Sequence, residues 1–162
     1  MTLLRRCLVL VALMFWQGGF TFYAAVVVPI GQQTLGSPKD QGFITRRVTN
    51  YLNLAGAISL LPLAWDAAVS GGAGRWRRVR WLTWLGMALA LGLLVWLHGR
   101  LDTLLDPDAL RVLSRGAFRA QHRWYLWVST FQWACAVVYA VASLCVWRQE
   151  DRAAAAPHGG QA

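Results

Sequence analysis

Long apolar runs alternate with short polar segments along this 162-residue chain. The four apolar runs cover about residues 7–30, 48–70, 81–98 and 123–147. Each is close to the roughly 17 to 25 residues that a helix needs to cross a hydrocarbon core of about 30 Å. Because short connections favour antiparallel neighbours, the pattern predicts an all-α fold, a membrane-spanning up-and-down four-helix bundle.

The polar segments predict where helices begin and end. Ser37 followed by Pro38 is typical of a helix start, so we expect the second helix to run from Pro38 to about Ser70. Residues 1–152 then form one transmembrane domain. Residues 153–162 are rich in alanine and glycine, and we expect a disordered cytoplasmic tail there.

Two smaller features carry local predictions. Asp106-Pro107 predicts the start of a short amphipathic surface helix that reaches Arg115. Gly18-Gly19 lies in the middle of the first run, where two glycines favour close helix contact or a kink.

Composition indicates that lipid is the solvent of this chain. The sequence is 57% hydrophobic and only 14% charged, with a mean hydropathy of +0.39, which leaves too little polar surface for a soluble globule. Many of the 10 tryptophans lie at predicted span ends, Trp147 among them, as interfacial tryptophans do. The net charge of +9 comes from arginines that flank the spans. We therefore expect membrane lipids and not nucleic acid as partners, together with a second copy or another membrane subunit.

Arginine placement predicts the orientation. The segment RWRRVR at 75–80 separates the second and third runs, and Arg5-Arg6 precedes the first. Cytoplasmic loops carry an excess of arginine, and the first helix has the largest influence. Both termini are therefore expected in the cytoplasm, in a multi-pass protein of the cell inner (plasma) membrane.

One face of the fourth run carries polar residues at helical spacing. These residues are His122, Tyr125, Ser129, Gln132, Tyr139 and Ser143, with Ala136 completing the stripe. We expect this stripe to face the bundle interior and to meet Gln17 and Thr21 of the first helix. One interpretation is hydrogen bonding between close-packed helices, and the other is a small polar cavity that opens outward.

Asp66 is a carboxylate well inside an apolar run. An ionised carboxylate there costs a few kcal/mol unless it is paired or hydrated. The arginines of 75–80 follow just beyond the same membrane face, so one hypothesis is an anchoring ion pair across the turn. The other is a proton-relay carboxylate.

Polar groups from three helices converge at the predicted outer ends of the runs. The rim consists of Asn50, Asn53, His98, His122 and Tyr125, with Arg46, Arg47 and Arg123 above it. A concave polar opening in an apolar wall favours ligand binding, and the arginines favour anionic groups such as a lipid phosphate or a carboxylate. Alternatively, the arginines bind only headgroups and the rim is closed by its own hydrogen bonds. His98 and His122 lie at matching depth and are also candidate ligands for a metal or haem iron.

Two short motifs resemble those of a known group. The first is F-W-Q-G-G-F-T-F-Y, from Phe15 to Tyr23, followed by Pro29, and the second runs from Phe118 to His122. They resemble the first helix and the start of the last helix in small bacterial four-helix membrane proteins of unknown function, near the CopD-like group. The resemblance implies a four-helix bundle and, in the wider group, copper handling or haem-related chemistry, for which His122 is the residue carried over. The methionine-rich or multi-histidine clusters expected of a copper carrier are missing from the sequence.

The sequence lacks a nucleophile elbow and a phosphate-binding glycine loop. We therefore expect a non-enzymatic integral membrane protein that acts in packing, partner binding or small-solute handling, without a cofactor. The alternative is a CopD-like protein that binds haem or copper through its outer-side histidines.

Overall fold

A computed structural model describes residues 1–70, 74–106, 111–112 and 115–156. Its elements are the helices α1 (Thr2–Leu35), α2 (Pro38–Val69) and α3 (Arg75–Asp102), the strands β1 (Leu105–Asp106) and β2 (Arg111–Val112), and the helix α4 (Arg115–Ala155). All four helices are long and apolar enough to span a membrane. The prediction of an all-α, membrane-spanning up-and-down four-helix bundle is confirmed.

The connection between α1 and α2 follows directly from its sequence. Gly36 ends α1 with a φ of 61°, a left-handed conformation that glycine adopts without steric cost. Ser37 then caps α2, because its Oγ accepts a hydrogen bond from the backbone N–H of Asp40 at 3.3 Å. Pro38 occupies the first turn. The predicted start of the second helix is therefore confirmed.

Helix α1 contains two π-helical segments, Met14–Gly18 and Tyr23–Val27. Pro29 lacks an N–H and interrupts the hydrogen-bond ladder just after the second of them. A Cβ added at Gly18 or Gly19 would meet nothing within 4 Å, so the predicted close helix contact at these glycines is wrong. Each π turn adds backbone to the helix and rotates the residues that follow it about the helix axis.

The helices pack in sequence order, α1 on α2, α2 on α3 and, most extensively, α3 on α4. The buried apolar core consists of Val9, Leu13, Trp16, Leu60, Leu63, Met87, Leu91, Ala136, Tyr139 and Trp147. Most of these residues lie in the half of the bundle that holds the start of α1, the end of α2 and the end of α4. We call that end of the bundle the terminal end, and the opposite end the cavity end.

Large apolar side chains cover much of the outer surface, among them Leu3, Val11, Phe15, Phe22, Leu82, Leu89, Val137 and Leu144. A continuous exposed apolar surface of this kind is what a protein in lipid presents. Many polar side chains are correspondingly buried in the interior of the bundle.

Two boundary predictions are corrected by the structure. Helix α4 continues to Ala155 and so includes three residues assigned to the disordered tail, while residues 157–162 lie outside the described part. The short surface helix predicted before Arg115 is wrong at Arg111–Val112, which pair antiparallel with Leu105–Asp106. Residues 107–110 of that prediction are not among those described.

Candidate functional site

The polar stripe of α4 faces the interior, as its spacing predicted. Ser129, Gln132, Ala136, Tyr139 and Ser143 are all buried. Tyr125 is half-buried, and His122, at the cavity end, is exposed by its accessible surface. The stripe thus runs through the length of the bundle and contributes to two separate polar sites, one at each end.

At the terminal end the carboxylate of Asp66 is 0% exposed and receives groups from three other parts of the bundle. Arg5 Nε of α1 lies 2.8 Å from Oδ1, and Arg80 of α3 forms an ion pair with Oδ2. Trp147 of α4 donates from Nε1 to Oδ2 at 3.3 Å, and Ser70 donates from Oγ to Oδ1 at 3.1 Å. The predicted anchoring ion pair across the turn is present with Arg80. The Trp147 indole faces the bundle interior and not lipid, because it is buried against Asp66.

The ion pairs continue outward from Asp66 to the end of α4. Arg5 donates to Glu150 at 2.9 Å, Arg6 contacts the same carboxylate at 3.1 Å, and Arg6 lies 2.8 Å from Asp151. Read along this path, the side chains alternate in sign in the order Arg80, Asp66, Arg5, Glu150, Arg6, Asp151. We call these six residues the charged network. Because each buried charge has an opposite neighbour, the desolvation cost of burying arginine beside lipid is offset.

Tyr139 adds a neutral hydrogen bond to the charged network. Its hydroxyl donates to the backbone oxygen of Leu63 at 2.6 Å and accepts from Arg80 at 3.3 Å. Tyr139 thus connects Arg80, the partner of Asp66, to the backbone of α2. This is the arrangement of an anchoring ion pair, the first of the two hypotheses for Asp66.

At the cavity end the four helices enclose a cavity of about 330 Å³. Its lining includes Trp16, Phe20, Tyr23 and Ala24 of α1, Thr45, Arg46, Thr49 and Asn53 of α2, Leu94, His98 and Asp102 of α3, and Phe118, His122, Tyr125, Leu126, Ser129 and Gln132 of α4. This volume is at the lower end of the range for small-molecule sites. Both interpretations of the α4 stripe therefore apply. The stripe lines a polar cavity at the cavity end, and it forms hydrogen bonds between helices toward the terminal end.

Most of the predicted rim belongs to the cavity lining, namely Asn53, His98, His122, Tyr125 and Arg46. Three predicted residues, Asn50, Arg47 and Arg123, are exposed and lie outside the lining found among the described residues. Thr49 and Asn53 are one helical turn apart and face the cavity, whereas Asn50 is rotated by about 100° from Thr49. The rim prediction was thus wrong for Asn50, Arg47 and Arg123, which lie on sides of their helices that do not face the cavity.

His98 is the most informative residue of the lining. Its side chain belongs to a residue only 9% exposed, and Nε2 has no hydrogen-bond partner among the described residues. The nearest acidic oxygen, Oδ2 of Asp102, is 3.8 Å away, beyond hydrogen-bond distance. An unpaired buried polar atom costs about 1 to 3 kcal/mol. A partner inside the cavity would remove that cost.

Arg46 is neutralised within the cavity wall. Its Nε donates to Asp102 Oδ1 at 2.7 Å, and both side chains are about one-third exposed or less. Because the two charges cancel locally, the wall presents hydrogen-bonding groups without a free cation at this point.

Aromatic rings form two walls of the cavity. Trp16, Phe20 and Tyr23 line it from α1. On α4, the rings of Phe118 and His122 are stacked, with centroids 6.0 Å apart and planes 4° apart. These aromatic faces had no separate prediction from the sequence, although the spacing of the α1 rings by four and three residues is a helical signal.

A hydrogen-bonded cluster joins α1 to α2 beside the cavity. The Tyr23 hydroxyl donates to Thr45 Oγ1 at 3.1 Å, and Gln41 Nε2 donates to the Tyr23 oxygen at 3.4 Å. Gln41 is buried directly against Gly31, where an added Cβ would lie 1.9 Å from the amide oxygen. Gln41 and Thr45 were missed in the sequence, where their i, i+4 spacing on a predicted helix was the available signal.

Gln17 and Thr21 do not meet the α4 stripe in the predicted way. Gln132 instead donates to the backbone oxygen of Met87 at 3.2 Å. Thr21 is exposed and donates to the oxygen of Gln17 in its own helix at 2.7 Å. Both residues line a shallow outer groove beside Trp133. The physical reason is the π segment Met14–Gly18, which shifts the register of α1 relative to a regular helix.

Among the described residues, no three His, Cys, Asp or Glu side chains come together as a metal site. His98 lies 3.8 Å from Asp102, and the His122 ring stacks on Phe118. Haem iron needs only one or two histidine ligands, so the haem or metal alternative stays a prediction.

Comparisons with known proteins do not assign this chain to a family. No family model, curated protein or solved structure matches the chain. The resemblance to the CopD-like group therefore stays a prediction from two short motifs.

Proposed function

We propose that this chain is a non-enzymatic integral membrane protein of the bacterial inner membrane that binds a small, neutral, lipid-soluble molecule in the four-helix cavity. In this proposal both termini are cytoplasmic and the cavity end faces outward, as supported by Arg5-Arg6 and the arginines of 75–80 at the terminal end. This is the small-solute role expected from the sequence, and the four-helix cavity is its proposed binding site.

The observation that carries the proposal is His98, which lines the cavity and whose Nε2 has no hydrogen-bond partner among the described residues. A neutral imidazole nitrogen is a donor in one tautomer and an acceptor in the other. A carbonyl on the ligand would pair with the donor form, and a hydroxyl group with either form. The surrounding walls are largely apolar and aromatic, which suits the rest of a lipid-soluble ligand.

Charge balance favours a neutral ligand over the anionic one that the arginines suggested. An anion beside Arg46 would also lie beside Asp102, which Arg46 already neutralises at 2.7 Å. Two like charges about 4 Å apart repel by about 4 kcal/mol at an effective dielectric of about 20. That repulsion cancels most of the attraction to Arg46, and Arg47 and Arg123 lie outside the lining described here.

The proposal is tested by ligand-dependent thermal unfolding of the purified full chain. Three probes built on a linear chain of ten carbons differ in polar group: decan-2-one, decanoate and decyltrimethylammonium. We expect the ketone to stabilise the protein, by about 2.7 kcal/mol at one hundred times its Kd, and the two ions to stabilise it less. His98→Ala should lose this effect, while Asn50→Ala, an exposed change outside the lining, should retain it.

The haem or metal alternative is separated by a visible absorption spectrum and metal analysis of the same sample. A Soret band or bound copper that disappears in His122→Ala would replace the proposal. Equal stabilisation of wild type and His98→Ala by the ketone would show that His98 does not hold the ligand.

A further inference from the structure

The cavity also indicates the shape of its ligand, provided that the proposed function is correct. We infer that it holds a flat, carbonyl-bearing ring of the quinone class between the aromatic walls of α1 and α4, and that the ligand enters sideways from the bilayer between these two helices.

The shape argument starts from the two aromatic walls. Trp16, Phe20 and Tyr23 line one side, and the parallel rings of Phe118 and His122 line the other. Aromatic rings pack best against another flat ring, in offset-stacked or edge-to-face arrangements. An aliphatic chain would fill the same space without that geometric preference. Walls of this composition on two facing helices therefore favour a planar ligand.

The hydrogen-bonding argument rests on His98. Its unpaired Nε2 lies in the wall formed by α3, beside the Arg46–Asp102 pair. A quinone presents carbonyl oxygens and its reduced form presents hydroxyl groups, and imidazole nitrogen pairs with either according to its tautomer. Both forms of such a ligand are neutral, in keeping with the balanced charge of this wall.

The size of the cavity limits which part of the ligand it encloses. A volume of about 330 Å³ accommodates a ring and its substituents but not a long apolar tail. The tail must therefore leave through an opening into the lipid.

Ala24 of α1 and Leu126 of α4 both line the cavity and are both exposed. Because both are apolar, a tail that leaves between them meets side chains compatible with hydrocarbon. The inferred opening therefore lies between α1 and α4. At the terminal end, in contrast, Arg5 and Arg6 join α1 to Glu150 of α4 through ion pairs.

Thermal unfolding with paired quinones tests both parts of the inference. The probes are tetramethylbenzoquinone and a decyl-substituted benzoquinone, neither with a free ring position that could react with the cysteines. Decan-2-one is the reference ligand with a carbonyl but no ring. We expect both quinones to bind wild type at least about ten-fold more tightly than the ketone.

The opening is tested by filling it. Ala24→Trp should weaken binding of the decyl-substituted quinone about ten-fold more than binding of tetramethylbenzoquinone, because only the tailed ligand needs the exit. Ala57→Trp adds the same bulk at an exposed alanine of α2 outside the lining and should change neither. Leu126→Trp narrows the opening from the opposite helix and replaces Ala24→Trp if that variant fails to fold.

Different outcomes separate this inference from the proposed function. Equal affinity for ketone and quinones would overturn the ring class and leave the cavity as a site for neutral molecules. Unchanged binding of the tailed quinone in both tryptophan variants would overturn the lateral opening alone. Failure of all neutral probes to stabilise wild type would remove the proposed function as well.

Discussion

Arg5 Nε lies 2.8 Å from Asp66 Oδ1, and this contact joins the start of α1 to the buried end of α2. The same carboxylate pairs with Arg80 of α3, and Arg5 also pairs with Glu150 of α4. One carboxylate and one guanidinium therefore connect all four helices. Because Asp66 is the counter-ion of Arg80 and one of two counter-ions of Arg5, this residue should have a larger effect on stability than an exposed acid.

Asp66→Asn should lower the free energy of unfolding by about 3 to 5 kcal/mol, since at nearly unchanged volume it leaves the buried guanidinium of Arg80 without its counter-ion and leaves Arg5 with Glu150 alone. Thermal unfolding in detergent measures the change. Asp151→Asn is the matched control, because Asp151 is 64% exposed and its pair should contribute less than about 1 kcal/mol. A common unfolding temperature for both variants would show that the network does not stabilise the bundle.

Gly56→Ala should destabilise the protein by about 1 to 3 kcal/mol through overpacking. The new Cβ would lie 2.8 Å from two atoms of the Trp16 indole, which is buried in the core. Gly92→Ala in α3 is the control, because its Cβ would meet nothing within 4 Å and alanine favours a helix. In a Trp16→Leu background, Gly56→Ala should reduce the free energy of unfolding by a smaller amount if contact with the indole is the cause. An unchanged reduction would exclude that explanation.

Gln132→Lys should prevent stable folding, because its side chain is buried in mid-bundle and donates to the backbone of Met87. Leu144→Lys lies on the same helix near the terminal end, is 55% exposed and has room to extend toward the interface. Monodispersity in size-exclusion chromatography and thermal unfolding compare the two. Similar behaviour of the two variants would argue against an inward-facing stripe.

Asp102→Asn should change the charge preference of the cavity by releasing Arg46 from its ion pair. The affinity for decanoate is then expected to rise by about ten-fold, while the affinity for decan-2-one should change little. Titrations of each probe against wild type and variant give the ratio. A decanoate affinity that does not rise would mean that Arg46 is not the cation facing the ligand.

The proposed orientation is tested by single cysteines in a cysteine-free background. Leu35→Cys, at the cavity end, should react with a membrane-impermeant thiol reagent in intact cells. Ala153→Cys, at the terminal end, should react only after the membrane is permeabilised. The reverse pattern would invert the protein in the membrane.

The sequence predicts features of this bundle that depend on nearby residues. Four spans follow from run length, the start of α2 follows from Ser37 and Pro38, and the Asp66–Arg80 pair follows from the short turn between α2 and α3. Each requires only local spacing and the periodicity of a regular helix. Arg5 was placed at the correct end, yet its contact with Asp66 depends on which helices become neighbours.

The errors at Thr21 and Asn50 have a common physical origin in helix rotation. Thr21 was expected inside and is exposed, because α1 departs from regular α-helical geometry at Met14–Gly18. Asn50 was assigned to the rim and lies beside the correct face, which Thr49 occupies. Rotation about a helix axis is set by packing between helices, and a single sequence does not contain that information.

The ion pair between Arg5 and Glu150 joins residues that are 145 positions apart. During synthesis α1 leaves the ribosome before α4, and the acids that complete its contacts follow the fourth span in the sequence. The first helix therefore enters the bilayer without its final neighbour. A chain cut short just before Glu150 would still insert four spans, but α1 would lack its ion pairs with Glu150 and Asp151, so its native contacts are completed only after the fourth span has been made.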